Sequence, residues 1–180
     1  MPLVERLRRI EVSDLALMRR WRNSPEVASK MYTRHEISAE EHRDWWKRVC
    51  TRDDQTYFMY ENAGAPLGVV SFTQIDLVNS NCFWAFYASP RAPKGTGSRM
   101  EFLALEYVFS TLKLHKLSCE VLAFNSPVLG LHNKFGFKQE GTFRQHHKMD
   151  DAYVDIIRLG IFGDEWTEIR EKLIAKFNVT

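Results

Sequence analysis

The stretch from residue 87 to residue 107, Y-A-S-P-R-A-P-K-G-T-G-S-R-M-E-F-L-A-L-E-Y, constrains this chain most strongly. An apolar strand is predicted to end near Tyr87, the first residue of this stretch, and a helix is predicted to follow the Pro/Gly-rich turn. Gly95 and Gly97 remove side chains from that turn, so successive backbone N–H groups can point at one spot. With the charges of Lys94 and Arg99, the turn predicts either a phosphate cradle at a helix N-terminus or an ordinary tight turn.

Composition narrows the class of protein and its partners. A length of 180 residues with 44% apolar residues predicts one globular domain spanning residues 1–180. The net charge of only +2 argues against a nucleic-acid partner bound through a strongly basic surface. The sequence has no apolar leader and no apolar run long enough to cross a bilayer, which predicts a cytoplasmic protein without a membrane partner.

The cysteines indicate buried thiols rather than a framework of disulfides or a metal centre. Cys50, Cys82 and Cys119 are far apart and odd in number, which predicts reduced side chains. No Cys/His pair has the spacing of a metal site, so no metal is predicted.

Hydrophobic periodicity and turn signals predict a mixed succession of strands and helices. Strands are predicted at 3–12 (an edge strand), 56–60, 67–75, 82–87, 117–124, 137–143 and 153–162. Helices are predicted after the caps Ser13-Asp14, Ser24-Pro25 and Ser38, from about Ser98, from Ser126-Pro127, and over 164–177.

A second stretch, N-S-P-V-L-G-L-H-N-K-F-G-F-K-Q-E-G from Asn125 to Gly141, joins the first in one resemblance. Together they resemble the GCN5-related N-acetyltransferase (GNAT) family, which has a Q/R-x-x-G-x-G/A loop followed by an Asn and then a helix closing in K-x-G-F. The Q/R position of the loop falls on Ala92, with Arg91 one residue early, so that match is imperfect.

The resemblance implies a fold, an activity and a cofactor. The implied fold is α+β, with a central mixed, mostly antiparallel seven-stranded sheet flanked by helices, to which the C-terminal helix is an addition. The implied activity is N-acetyl transfer from acetyl-CoA, whose pyrophosphate is expected on the glycine loop. The implied cofactor-binding residues are Tyr87, Ala88, Ser89, Lys94, Gly95, Thr96, Gly97, Ser98, Asn125 and Lys134.

Two further stretches bear on the acceptor: W-R-N-S-P-E-V-A-S-K-M-Y at 21–32 and E-E-H-R-D-W-W at 40–46. They resemble the N-acetyltransferases of pseudaminic acid biosynthesis, a pathway of flagellin glycosylation, which acetylate the C4 amine of a UDP-linked 4-amino-4,6-dideoxy sugar. The implied substrate-binding residues are Arg22, His42, Thr73, Gln74 and Tyr87, with Gln74 standing where that family has Lys. Arg22 pairing with a carboxylate and His42 packing beside Trp45 remain alternatives.

The resemblance also frames the chemistry, because acetyl transfer needs a neutral amine and a proton for the departing thiolate. The family's general acid is a Tyr four residues before the Gly of K-x-G-F, a position held here by His132. Imidazolium can serve as an acid, although a packed histidine is the alternative. Glu120 is predicted to accept the amine proton, with a surface or paired carboxylate as the alternative, and Ser71 to orient the acceptor.

Other functions remain open on the sequence alone. Glu140, Gly141 and Arg144 also fit an E-G-x-x-R pattern of ribosomal-protein or protein N-terminal acetyltransferases. A non-catalytic acetyl-CoA-binding module is the third reading. A UDP-amino sugar is the expected small-molecule partner, and the sequence is compatible with a homodimer.

Overall fold

The computed structural model describes residues 5–177, which form seven strands, six α-helices and two short non-α helical turns. The strands are β1 (Glu5–Arg9), β2 (Thr56–Asn62), β3 (Ala65–Asp76), β4 (Asn81–Ala88), β5 (Lys116–Leu122), β6 (Lys138–Met149) and β7 (Ala152–Phe162). The helices are α1 (Leu15–Arg22), α2 (Pro25–Ala28), α3 (Ala39–Val49), α4 (Thr96–Glu106), α5 (Ser126–Lys134) and α6 (Gly163–Phe177).

The strands form a seven-stranded sheet in the order β1-β2-β3-β4-β5-β7-β6. Strands β4 and β5 are parallel, whereas β1–β2, β2–β3, β5–β7 and β6–β7 are antiparallel. The predicted mixed, mostly antiparallel sheet is therefore confirmed, and β1 is the edge strand that the sequence predicted at 3–12. Residues 3 and 4 of that predicted strand lie outside the described residues.

Contacts within the chain divide the described residues into two compact units. The first contains residues 5–75 and 85–100, and the second contains residues 76–84 and 101–177. In the first unit, one face of α1 is buried in a cluster of apolar side chains, namely Ile10, Leu15, Met18, Trp21, Met59 and Val69. Three of these recur at helical spacing on α1, which confirms the predicted apolar face of that helix.

An ion-pair network ties the N-terminal elements of the first unit together. Arg8 donates from Nη1 and Nη2 to the two carboxylate oxygens of Asp14, at 2.7 and 2.9 Å, and from Nε to Glu61 Oε1 at 2.7 Å. Asp14 was predicted to cap α1, and it occupies the N-cap position without a capping hydrogen bond from its side chain. Its carboxylate instead accepts the Glu11 N–H at 2.7 Å and closes the preceding 3-10 turn, because Arg8 holds it there.

The second unit is built on the antiparallel strands β5, β7 and β6. Glu106, at the end of α4, accepts hydrogen bonds from Trp166 Nε1 at 3.1 Å and from Arg170 at 2.6 and 2.8 Å. These bonds anchor the predicted C-terminal helix to α4. Helix α5 ends as predicted near Gly136, whose φ of +89° lies in the left-handed region that glycine adopts without strain.

Helix α4 and strand β6 are among the elements whose boundaries differ from the prediction. Helix α4 begins at Thr96 rather than at about Ser98, and it ends in a π-helical turn over Tyr107–Thr111. Strand β6 continues past Phe143 through a polar stretch that lacks strand periodicity. A register shift between Phe143 and His147 makes this continuation irregular, and the backbone N–H of Gln145 is satisfied by Asp155 Oδ1 at 2.7 Å.

The cysteines are free thiols, as predicted, but the predicted burial is wrong for Cys50. Cys50 is exposed, whereas Cys82 and Cys119 are buried, and all three are free. Burial raises the pKa of Cys82 to about 12, so this thiol is protonated and unreactive at neutral pH. Within residues 5–177, no helix combines the length and the apolar character needed to cross a membrane.

Candidate active site

A cavity of about 360 Å³ lies within the first unit, a size typical of small-ligand sites. Its walls come from α1, α3, the segment between α2 and α3, and strands β2, β3 and β4. The lining residues are Met18, Arg22, Met31, Thr33, Ile37, Glu41, His42, Trp45, Arg48, Tyr57, Val69, Ser71, Ala85, Phe86 and Tyr87. Apolar and aromatic walls with a few polar groups are the usual composition of such a site.

Arg22 is the most informative residue of this cavity. Its Nη1 is buried and forms no hydrogen bond with the described part of the chain. Its Cζ lies 5.9 Å from the centre of the Tyr87 ring, within reach of a cation–π contact. Burial lowers the pKa of Arg22, although the guanidinium remains charged at neutral pH. A buried donor without an acceptor costs free energy, so this group is suited to an anionic or carbonyl-bearing ligand.

His42 lies on α3 in the same lining and is 6% exposed. Its ring stacks on Trp45 with centroids 5.1 Å apart, which matches the packing alternative without excluding ligand contact. Burial, together with the positive charges of Arg19 and Arg22, lowers the pKa of His42. At neutral pH His42 is therefore a neutral hydrogen-bonding group rather than a cation.

The other predicted acceptor residues divide into two groups. Tyr87 lines the cavity, as does Ser71, whose Oγ donates to the Ala85 carbonyl at 3.3 Å. Thr73 and Gln74 lie further along β3 and are not part of this lining; Gln74 is exposed with a φ of +51°. The alternation of a strand makes Ser71 and Thr73 share a face, so sequence spacing alone could not separate them.

The predicted cofactor loop follows β4 and leads into α4. Ser89 N donates to the Leu67 carbonyl at 2.8 Å, and both Thr96 N and Thr96 Oγ1 donate to the Pro93 carbonyl, at 3.2 and 2.8 Å. Gly95 has a φ of +92°, and a Cβ added there would meet nothing within 4 Å. The glycine therefore permits the backbone turn that starts α4 at Thr96.

Gly97 and Ser98 lie in the first turn of α4, where backbone N–H groups have no acceptor within the helix. Lys94 is exposed beside the loop. Arg99, predicted to add charge here, lies with its Nη1 3.5 Å from Glu5 Oε2. Its charge is partly balanced by that carboxylate, which leaves Lys94 and the helix N-terminus as the positive features of the loop.

His132 lies on α5 in the second unit and forms a buried pair with Glu101 of α4. His132 Nδ1 is 2.8 Å from Glu101 Oε1, and the two side chains are 3% and 0% exposed. The His132 ring also contacts the rings of Trp84 and Phe137, at 5.4 and 5.2 Å between centroids. Glu101 Oε2 has no hydrogen-bond partner among the described residues, and burial raises the pKa of Glu101 against the opposing effect of His132.

The remaining predicted site residues of the second unit lie within β5 and at the two ends of α5. Glu120 Oε1 accepts a hydrogen bond from Arg158 Nη1 at 3.1 Å, which corresponds to the paired-carboxylate alternative. Asn125 is the N-cap residue of α5, and its carbonyl accepts from Val128 N and Leu129 N at 3.1 Å each. Lys134 is exposed at the other end of α5.

Sequence reasoning missed several residues of the site. Met31, Thr33 and Ile37 belong to an irregular segment without periodicity, and Arg48 looks like a solvent-facing cation of α3. Glu101 could have been found, because a carboxylate beside Met100, Phe102, Ala104 and Leu105 interrupts an otherwise apolar helix. Within residues 5–177, no cluster of three or more His, Cys, Asp or Glu side chains is arranged to hold a metal.

The family to which the chain belongs follows from its sequence as well as its fold. Residues 6–138 match the model of the Acetyltransferase (GNAT) domain, so the chain is a member of the GNAT acetyltransferase family. It is therefore an acetyltransferase that uses acetyl-CoA, as predicted.

The chain is similar to acetyltransferases with different names. The chain is 27% identical over 124 residues to Acetyltransferase PseH of Campylobacter jejuni, covering 69% of this chain and 76% of that protein. It is 25% identical over 162 residues to Spermidine N(1)-acetyltransferase of Escherichia coli, covering 89% and 87%. The crystal structure of spermidine N-acetyltransferase from Vibrio cholerae, in complex with CoA and spermine, superposes with a TM-score of 0.85 at 23% identity, covering 91% of this chain and 98% of that one. These similarities establish the fold and leave the acceptor open.

Proposed function

We propose that this acetyltransferase acetylates the C4 amine of a UDP-linked 4-amino-4,6-dideoxy sugar by direct transfer from acetyl-CoA. The observation that carries the proposal is Arg22, a half-buried residue that lines the cavity of the first unit and whose buried Nη1 has no hydrogen bond in the described chain. A diphosphate supplies the acceptor oxygens that such a group lacks. The aromatic walls formed by Trp45, Tyr57, Phe86 and Tyr87 suit the flat face of a base or the apolar face of a sugar.

Charge favours this acceptor over a polyamine. The lining contains two guanidinium groups, Arg22 and Arg48, and one carboxylate, Glu41. Glu41 Oε1 is already engaged by His35 Nε2 at 2.9 Å. Spermidine and spermine are polycations at neutral pH, so two Arg side chains would repel them, whereas a nucleotide sugar gains from the same charges.

The proton steps are proposed on the residues that the sequence singled out. His132 is the proposed donor to the departing thiolate, and Glu101 Oε1, 2.8 Å from its Nδ1, would orient its ring. His132 is 2% exposed, which also fits the packed-histidine alternative. Ser71 is proposed to orient the acceptor from the cavity wall, and Glu120, bonded to Arg158, is the proposed acceptor of the amine proton.

The acceptor is tested by thiol release from acetyl-CoA with three amines offered in parallel. These are a UDP-4-amino-4,6-dideoxy sugar, spermidine, and peptides with the N-termini of ribosomal proteins. We expect efficient turnover of the nucleotide sugar and at most slow reaction with the other two. Efficient acetylation of spermidine would overturn the charge assignment, preference for peptides would favour the ribosomal-type alternative, and binding of acetyl-CoA without turnover of any amine would favour a non-catalytic module.

The cofactor placement is tested at Gly97. We propose that the pyrophosphate of acetyl-CoA contacts the backbone from Lys94 to Ser98, where a large side chain in the first turn of α4 would obstruct it. Gly97→Val should abolish measurable CoA binding in calorimetry while the thermal melt stays cooperative. Gly130→Val is the matched control, since a Cβ at this other helical glycine meets nothing within 4 Å and CoA affinity should be retained. Unchanged CoA affinity in Gly97→Val would exclude this placement.

The proposal includes self-association. One solved structure of spermidine N-acetyltransferase from Vibrio cholerae is dodecameric. The sequence of the present chain is compatible with a homodimer. Sedimentation velocity at several concentrations should give a species heavier than the 21.1 kDa chain, and a monomer at all concentrations would contradict this.

A further inference from the structure

One segment of the cavity wall is held by a single side chain. Asn23 Oδ1 accepts the Ile37 N–H at 2.9 Å, and Asn23 Nδ2 donates to the Ile37 carbonyl at 2.9 Å. The amide thus pairs with both backbone groups of one residue, as a neighbouring strand would. Arg19 Nη1 donates to the same carbonyl at the longer distance of 3.3 Å.

The residue that Asn23 holds belongs to the segment 29–38, which joins α2 to α3. Met31, Thr33 and Ile37 of this segment line the cavity. The segment forms no helix or strand, and the backbone N–H and carbonyl of Ile37 have their hydrogen bonds from side chains. Ile37 is 8% exposed, and it lies one residue before Ser38, whose Oγ accepts from Glu41 N at the start of α3.

Asn23 also follows Arg22 directly in the chain. It is the C-cap residue of α1, and its own N–H donates to the Arg19 carbonyl at 3.0 Å. The helix end that carries the unpartnered guanidinium is therefore the same one that fixes Ile37. Asn23→Ala should therefore loosen the wall segment, because the Asn23 side chain holds Ile37 to this helix end.

We propose that Asn23 is a positioning residue that holds segment 29–38 against the cavity and thereby sets the affinity for the acceptor. This rests on the proposed function in so far as the cavity is the acceptor site. Asn23 does not touch the reacting atoms in this role. Its contribution should appear in acceptor binding and leave the chemical step and the binding of acetyl-CoA unaffected.

Steady-state kinetics on Asn23→Ala test the role. Loss of both hydrogen bonds should raise the acceptor KM by about 5- to 20-fold, with kcat and the acetyl-CoA KM within about twofold of wild type. In Asn23→Asp, the carboxylate can still accept the Ile37 N–H but cannot donate to the Ile37 carbonyl. Its acceptor KM should therefore lie between that of wild type and that of Asn23→Ala. Asn62→Ala is the matched control, because Asn62 Nδ2 bridges to Glu5 Oε1 at 3.5 Å in the same unit and is not among the cavity lining; its KM values should stay at wild type.

Hydrogen exchange of the Ile37 amide provides a readout that needs no acceptor. In the free protein, Asn23→Ala should exchange this amide at least tenfold faster, while amides of β2 and β3 keep their protection. An unchanged Ile37 exchange rate would overturn the proposal, as would faster exchange with an unchanged acceptor KM, which assigns Asn23 a purely structural role. If the wild-type enzyme does not acetylate the nucleotide sugar, the proposed function fails, and the KM comparison is made with whichever amine of the panel reacts.

Discussion

Two places in this protein bury ionisable side chains, and they differ in whether those side chains have hydrogen-bond partners. In the first unit, Arg22 lines a cavity with a buried Nη1 that has no hydrogen bond in the described chain. In the second unit, Glu101 and His132 are more deeply buried, and they pair with each other at 2.8 Å. Arg22 Nη1 has no hydrogen bond in the described chain, whereas Glu101 Oε1 and His132 Nδ1 already have each other as partners.

The difference shows how a binding feature can be separated from a structural one. A buried ion pair adds little net stability, but removing one member leaves the other uncompensated and is strongly destabilising. A buried group without a partner already bears that cost in the free protein, and a ligand relieves it. Stability should therefore fall when the pair is broken and should hold when Arg22 is made apolar.

Breaking the pair is expected to have the largest effect. His132→Phe leaves the Glu101 carboxyl buried without its partner, so the free energy of unfolding should fall by about 3 kcal/mol in chemical denaturation. If His132 is also the proton donor, kcat should fall by roughly 10- to 100-fold with both KM values little changed. His132→Tyr recreates the residue usual in the family and should restore much of the rate.

A double variant separates the two roles of His132. Glu101→Leu combined with His132→Phe replaces the pair by apolar side chains of similar size, which should recover most of the lost stability. The rate should stay low in this double variant, because the donor is still missing. Recovery of wild-type kcat together with stability would identify His132 as a packed histidine, and the proton donor would have to lie elsewhere.

Arg22→Met tests the other half of the comparison. The loss of one charged contact to a phosphate is worth on the order of 2 kcal/mol, so the acceptor KM should rise about 30-fold with the acetyl-CoA KM unchanged. The free energy of unfolding should stay the same or increase, because an unpartnered buried charge has been removed. Arg20→Met is the control, since Arg20 is exposed on the same helix and should show neither effect. A marked loss of stability in Arg22→Met would mean that the charge serves the fold.

The sequence predicted the fold well because the fold depends on local signals. The helix starts at Pro25 and Ser38, the stop at Gly136 and the apolar face of α1 are short-range patterns, and each lies where it was predicted. The differences arise where a side chain from a neighbouring strand overrides a local preference. Arg8 donates to the Asp14 carboxylate, which does not cap α1. Asp155 accepts the Gln145 N–H in the irregular continuation of β6.

The candidate site was less accessible to sequence reasoning, for a physical reason. A motif marks Arg22, but whether its guanidinium is paired depends on side chains from other elements, and no spacing along the chain reports that. The Glu101–His132 pair joins residues 31 positions apart, and no spacing along the chain reports that these two side chains meet. The segment 29–38 has no periodicity that would predict its place in the cavity wall. The hydrogen bond from Asn23 to Ile37, which holds it there, is not visible in the sequence.

Arg8 provides a second comparison with Arg22 within the first unit, because its guanidinium already donates hydrogen bonds to two carboxylates. Its guanidinium holds the pKa of Asp14 and that of Glu61 below their ordinary values, through hydrogen bonds that favour the ionised carboxylates. Both carboxyl pKa values are lower in the folded than in the unfolded protein. The resulting stability is fully present above the unfolded-state values near pH 4, and it is lost as the pH falls through the lower folded-state values.

Asp14→Asn should therefore flatten the acid limb of the stability–pH profile, measured by chemical denaturation between about pH 2 and pH 6. The expected loss at pH 6 is on the order of 1 to 2 kcal/mol, smaller than for the buried pair because Arg8 keeps Glu61 as a partner. Asp54→Asn is the matched control: Asp54 also accepts two hydrogen bonds from one arginine, Arg52, at 2.8 and 2.6 Å, but its side chain is 39% exposed against 11% for Asp14, so water screens that ion pair more strongly. Equal effects of the two substitutions would mean that burial does not distinguish them, and the contrast between satisfied and unsatisfied arginines would lose its physical basis.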